Sequence, residues 1–198
     1  MEGEVIGTMF NAKGYHVVRN VIADDALKLL ALDIQLQRSY YHFSRGIPED
    51  YIRGDTQVEK SYSVYGASCF EALMVLLQPK IEQITGKSLY PTYSYARIYY
   101  NGAELTRHKD RPACEYSASL CIENDEYPWP FFMEDYNGNA EAVELYPGDM
   151  IVYRGNKLHH WREPFTLNKQ IQTFLHYVDQ NGEHSDKKYD ERPMLVVH

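Results

Sequence analysis

Residues 99–110 read YYNGAELTRHKD, and the fold and chemistry of this chain turn on the end of that stretch, where His108, Lys109 and Asp110 stand in a row. On a β-strand, residues i and i+2 project from the same face, so His108 and Asp110 can serve one site. A His-x-Asp triplet is frequent by chance, and its meaning depends on the sequence around it.

That surrounding sequence is strand-like. The segments PTYSYARIYYNG (91–102), EYSASLCIEND (115–125), PWPFFME (128–134), EAVELYPGDMIVYRG (141–155), HHWREPF (159–165) and IQTFLHYVDQNG (171–182) are short and rich in β-branched and aromatic residues. Turn residues such as Pro147-Gly148-Asp149 and Asn137-Gly138 separate them. Six or more short strands at this spacing predict a sandwich or jelly roll rather than a parallel sheet.

Ahead of this block the period changes. GYHVVRNVI (14–22) reads as a strand, and Asp24 is placed to cap a helix carrying Leu27, Leu30 and Ile34 at helical spacing. A second helix fits SCFEALMVLLQPKIEQITG (68–86), with Pro79 expected to kink or split it and Gly86 available to stop it. Residues 44–67 lack sustained periodicity and read as a long loop or lid. The expectation is one domain over 1–198, mainly β with flanking helices. A helical part to about 90 buttresses a β core over about 91–182, and a short tail follows.

Composition bounds the function. The 198 residues are 44% hydrophobic and 24% charged, ordinary for a folded globular chain. A net charge of -8 without clustered Lys and Arg disfavours nucleic acid as a partner. The longest apolar run, ALMVLL at 72–77, is too short to span a membrane, and MEGEVIGTMF lacks a basic region followed by an apolar core, so a cytoplasmic location is expected. Three cysteines without Cys-x-x-Cys indicate buried thiols rather than a disulfide framework or structural zinc. Eighteen tyrosines, concentrated in 40–100, point to a polar, aromatic-lined interior.

A selective metal site needs a third ligand, and LHHWREP supplies it some 50 residues after Asp110. Adjacent strand residues point to opposite faces, so one of His159 and His160 faces inward. Two histidines and one carboxylate make the facial triad of non-haem Fe(II) oxygenases, which leaves three coordination positions open. Three protein ligands also describe catalytic zinc, so a cupin-like zinc β-barrel hydrolase or isomerase is the rival reading, and a non-catalytic binding module on the same fold is a third.

The chain resembles the Fe(II)/2-oxoglutarate-dependent dioxygenases, in particular their prolyl 4-hydroxylase-like branch. The likeness runs from about Tyr15 to Gly182 through YYNGAELTRHKD, YPGDMIVYRG, HHWREP and KQIQTFLHYVD. It implies a double-stranded β-helix core and His108, Asp110 and His160 as metal ligands. His160 is favoured over His159 because the branch places a proline four residues later, here Pro164. It also implies a cation nine to ten residues beyond that histidine for the far carboxylate of 2-oxoglutarate. The forward count gives Lys169, counting back from His176 gives Gln170, and Arg162, on the same face as His160, is the alternative cation. Tyr100 matches a tyrosine that lines the co-substrate pocket, and Arg111 would orient a substrate carboxylate or brace Asp110. The implied cofactors are Fe(II), 2-oxoglutarate and O2, with ascorbate as an accessory. The implied reaction hydroxylates an aliphatic C–H of a peptidyl residue such as proline, or of a free amino acid or small metabolite, releasing succinate and CO2. Related radical halogenases replace the carboxylate ligand with a small residue, so Asp110 favours hydroxylation.

Overall fold

The computed structural model describes residues 10–197. Ten strands form two antiparallel sheets. The larger has six strands in the order β1 (Tyr15–Val18), β8 (Met150–Tyr153), β5 (Tyr116–Glu123), β10 (Lys169–Asp179), β3 (Leu89–Tyr100) and β2 (Ser61–Tyr65). The smaller has four: β4 (Leu105–His108), β9 (His160–Arg162), β6 (Phe131–Glu134) and β7 (Ala140–Val143).

The larger sheet is apolar on both faces, and the period-2 alternation divides its residues between two cores. Ala96 and Ile98 of β3, Ala118 and Leu120 of β5, Met150 and Val152 of β8, and Ile171 and Leu175 of β10 face outward and join the core formed with the helices. Helix α1 (Asp24–Arg45) brings Leu27, Leu30, Ala31 and Ile34 to that core, and α2 (Ser68–Thr85) brings Phe70, Leu73, Met74, Leu77, Ile81 and Ile84. The alternate residues Tyr99, Cys121, Ile151 and Tyr153 turn inward and meet Leu105, Phe131, Met133 and Val143 of the smaller sheet. This is a jelly roll with its helices on one side.

Several local expectations change. The helix at 24 starts with Asp24 already inside it, and Ala23 holds the cap position without a side-chain hydrogen bond. Pro79 lies within an uninterrupted α2. The carbonyl that loses its partner belongs to Val75, which is exposed, so water can satisfy it. Gly86 ends α2 in the left-handed region, at φ 67°. Segment 44–67 contains β2, which extends the larger sheet by pairing with β3, Ser61 opposite Tyr99 and Tyr65 opposite Tyr95. Among the described residues no helix is long and apolar enough to cross a membrane.

Candidate metal centre

Strand pairing assembles the site. In the β4–β9 ladder His108 lies directly opposite His160, and the two ring centres are 4.3 Å apart. Asp110 follows two residues after His108, just beyond the end of β4. Its Oδ1 lies 3.5 Å from His108 Nε2 and 3.4 Å from His160 Nε2. The other ring nitrogens point away, His108 Nδ1 to Thr106 O at 2.8 Å and His160 Nδ1 to Leu158 O at 3.0 Å. A carbonyl accepts only, so each Nδ1 carries a proton, and Nε2 is the ring atom that each histidine turns towards Asp110 Oδ1. Two neutral imidazole nitrogens and one carboxylate oxygen form a donor set that fits a divalent transition metal, with the histidines oriented as metal-binding histidines are.

Two further contacts hold Asp110. Its backbone N–H donates to Gly155 O at 2.9 Å, and Ser117 Oγ donates to its far oxygen Oδ2 at 3.2 Å. Ser117 stands opposite His176 in the β5–β10 register, and His176 Nδ1 lies 2.9 Å from Ser117 Oγ. Gly155 has no side chain for a specific reason: a Cβ there would fall on Asp110 Oδ2 and lie 2.5 Å from Cys114 O.

Burial opposes charge at Asp110, but His160 and the His108 contact outweigh it and hold the carboxyl well below the usual range. Burial opposes charge at His108 as well, but the Asp110 carboxylate and Thr106 O outweigh it and draw its imidazole up. A cation seated among the three would take the place of that proton. His176, fully enclosed, is pushed down to about 4 by burial, with Asp110 opposing.

The triad opens into a cavity of about 460 Å³. Tyr93, Tyr95 and Arg97 of β3 form one wall, Phe174 and His176 of β10 continue it, and Leu105, Phe131 and Tyr153 close the floor. Asp55, Thr56 and Gln57, from the segment ahead of β2, cover the mouth. Asp55 anchors that cover by accepting from the backbone of Gln57 and Val58, from Tyr95, and from Arg97 at 2.8 Å. The Gln57 amide bridges Arg97 and His108 Nε2, at 3.1 Å from each.

The other residues singled out in the sequence fall in different places. His159 turns to Arg107 and Glu134 and does not meet Asp110. Lys169 pairs with Glu123 at 2.5 Å, and neither Lys169 nor Arg162 is among the residues that line the cavity. Arg162 is 1% exposed and lies 4.8 Å from the Trp129 ring and 5.1 Å from the Phe131 ring. One of its nitrogens donates to Trp129 O, while Nε and Nη2 have no hydrogen-bond partner. Burial lowers its pKa. Tyr100 faces α1, with the Arg38 guanidinium 5.7 Å from its ring, whereas its neighbour Tyr99 is fully buried inside, 5.0 Å from Trp129. Arg111 forms a two-pronged pair with Asp190 at 2.7 and 2.8 Å, and Tyr65 donates to the same carboxylate.

Sequence reading passed over Arg97, Tyr99, Gln57, Ser117, Gly155 and His176. A usable signal existed for the first two, because Tyr93, Tyr95, Arg97 and Tyr99 share one parity along β3. A second cluster, Asp110, Cys114 and His176, adjoins the triad and shares its carboxylate. Burial pushes the Cys114 thiol up, and its Sγ lies 3.0 Å from Tyr93 Oη.

No protein-family model matches the chain, and no curated protein matches it. Solved structures do share its fold. A prolyl-4-hydroxylase of Pseudomonas putida is 17% identical, with 90% of this chain and 99% of that one aligned and a TM-score of 0.65. HygX of Streptomyces hygroscopicus, solved with nickel and 2-oxoglutarate, is 11% identical over 88% and 86%, with a TM-score of 0.66. A Trichoplax adhaerens prolyl hydroxylase, in complex with a hypoxia inducible factor peptide, is 10% identical over 96% and 93%, again at 0.66. Identities this low speak of architecture. By that likeness the chain has the double-stranded β-helix fold of the Fe(II)/2-oxoglutarate-dependent dioxygenases, prolyl hydroxylases among them.

Proposed function

We propose that the protein is an Fe(II)- and 2-oxoglutarate-dependent dioxygenase, with His108, Asp110 and His160 as the iron ligands. The observation that carries this reading is the convergence of the two Nε2 atoms on Asp110 Oδ1, on a fold shared with 2-oxoglutarate enzymes. Bound there, iron together with 2-oxoglutarate and O2 would supply the oxidant for an unactivated C–H bond, with release of succinate and CO2.

The chain's own residues have separable tasks. Asp110 stays ionised, and with two neutral histidines it leaves one net positive charge on a divalent ion, which favours a bidentate oxo-acid. Arg162 receives the far carboxylate of 2-oxoglutarate. It is a buried cation with two unpartnered nitrogens and no carboxylate beside it among the described residues. Such a charge is costly until an anion pairs with it. Lys169 and Arg97 are weaker candidates because Glu123 and Asp55 already compensate them. The segment carrying Asp55 and Gln57 covers the substrate and limits access of water.

Hydroxylation of a free amino acid, a small metabolite or a proline-containing peptide is the outcome we assign. An α-ketoglutarate-dependent epimerase has the same fold, so the product must be identified directly. Anaerobic addition of Fe(II) and 2-oxoglutarate should give a visible metal-to-ligand charge-transfer band. Succinate release should then be stimulated by one of those substrate classes. Asp110→Ala should abolish both signals while the protein stays folded. Turnover unchanged in that variant, or zinc-supported hydrolysis without the band, would sink the assignment.

A further inference from the structure

Helix α1 is apolar on two opposite sides. Leu27, Leu30, Ala31 and Ile34 face the sheet, as a surface helix requires. Leu29, Leu32, Leu36, Tyr40 and Phe43 face outward, each 58 to 85% exposed. At 3.6 residues per turn these five fall within about 80° of the helix circumference and form a ridge about 21 Å long. Leu29, Leu36 and Phe43 repeat every seventh residue with Leu32 and Tyr40 between them, the spacing of a helix–helix seam. Nothing within the described residues covers them.

We propose that this ridge is the contact of a two-fold homodimer, in which α1 packs antiparallel against α1 of a second copy. The arrangement of residue sizes selects the direction. With the axis at Leu36, Leu32 meets Tyr40 and Leu29 meets Phe43, so small opposes large along the whole seam. A parallel pair would set ring on ring and leave Leu29 and Leu32 facing their own kind.

Charge selects the same direction. Asp24 and Asp25 begin the helix and Arg45 ends it. Asp25 lies on the ridge side of the helix, so antiparallel packing separates the acidic ends of the two copies, and it opposes the two helix dipoles. A parallel pair would place the acidic ends together. The area is also sufficient: two rings offering roughly 150–250 Å² each, with three half-exposed leucines, approach the roughly 800 Å² per partner of a standard interface. An uncovered apolar patch of that size is uncommon on a monomer.

Sedimentation velocity of the full chain at micromolar concentration should show a dimer. Leu36→Glu places two carboxylates on the axis and should weaken association about a hundredfold or more, with circular dichroism and melting temperature retained. In a Cys69→Ser background, Leu36→Cys should form a disulfide with its own copy on mild oxidation. Leu29→Cys should cross-link only when mixed with Phe43→Cys. A monomer at these concentrations overturns the proposal. So does a dimer indifferent to Leu36→Glu, self-cross-linking by Leu29→Cys, or association that appears only after residues 1–9, as an alternative cover, are removed.

Discussion

His108 and His160 face one another across the β4–β9 ladder, and each turns its Nδ1 to the carbonyl two residues earlier in its own chain segment, Thr106 and Leu158. The backbone thus sets both tautomers, without any side-chain partner for the imidazoles on that side. Tuning of the site is left to Asp110, the one member of the proposed triad that lies outside a strand.

Gly155 is accordingly a sensitive position. Its missing Cβ is the space that Asp110 Oδ2, Cys114 O and Ser117 Oγ fill, and backbone is among the atoms that would have to move. Gly155→Ala should weaken Fe(II) or Co(II) binding about 10–100-fold. It should also cost about 1–3 kcal/mol of stability from overpacking. Metal titration and thermal melting read the two effects separately.

Ser117→Ala removes the donor to Asp110 Oδ2 and leaves His176 Nδ1 without its cross-strand partner. The expected outcome is a rise of about 10–100-fold in the metal dissociation constant, from loss of an outer contact to a ligand. The stability loss should be about 1–3 kcal/mol, from a buried group left unsatisfied. Cobalt absorption spectra would show the changed ligand field even in a variant too weak for turnover.

Arg162→Met should divide binding from stability. The variant should need far more 2-oxoglutarate, yet the ligand-free protein should melt no lower than the parent. Replacing an uncompensated buried charge by a packed apolar side chain is neutral or stabilising by about 1–4 kcal/mol. Lys169→Ala should leave the 2-oxoglutarate requirement nearly unchanged, because its pair with Glu123 is half-exposed and away from the cavity. Isothermal titration with 2-oxoglutarate separates the two arginine and lysine outcomes.

His176 predicts a pH dependence of folding. Burial lowers its pKa from 6.5 to about 4 in the folded protein. Between those values the unfolded chain binds a proton that the folded chain does not, so stability falls as pH falls through this window. The full effect is on the order of 3 kcal/mol. His108 moves the other way, so the test is the difference between the parent and His176→Phe, measured by denaturant melts from pH 7 to 4. That difference should shrink steadily towards the acid end.

Much of this was legible in the chain, and the losses have physical reasons. The β core shows because period-2 alternation with turn residues between strands is a strong local signal. His108 and Asp110 stand out as candidates by their i, i+2 spacing, and His160 by the family resemblance around Pro164. Tyr99 and Tyr100 are one residue apart on β3, and on a strand that single step exchanges the inner face for the helix face, which local pattern does not distinguish. Strand β2, SYSVY, is polar and short, and only its pairing with β3 makes it a strand. Ser117 and His176 meet across a ladder 59 residues apart in the chain, and Gly155 matters through a contact that no local pattern encodes.

The pair between Arg111 and Asp190 has a consequence of its own. Tyr189, Asp190 and Glu191 all sit at positive φ, from 55° to 64°, a conformation that side chains adopt only when something holds them. Arg111 and Tyr65 hold Asp190, and Arg192 grips the buried Glu71. Segment 189–192 is therefore a strained clasp whose far jaw adjoins Asp110. Proteolytic susceptibility of that segment would act as a remote gauge of how well the loop carrying Asp110 is set.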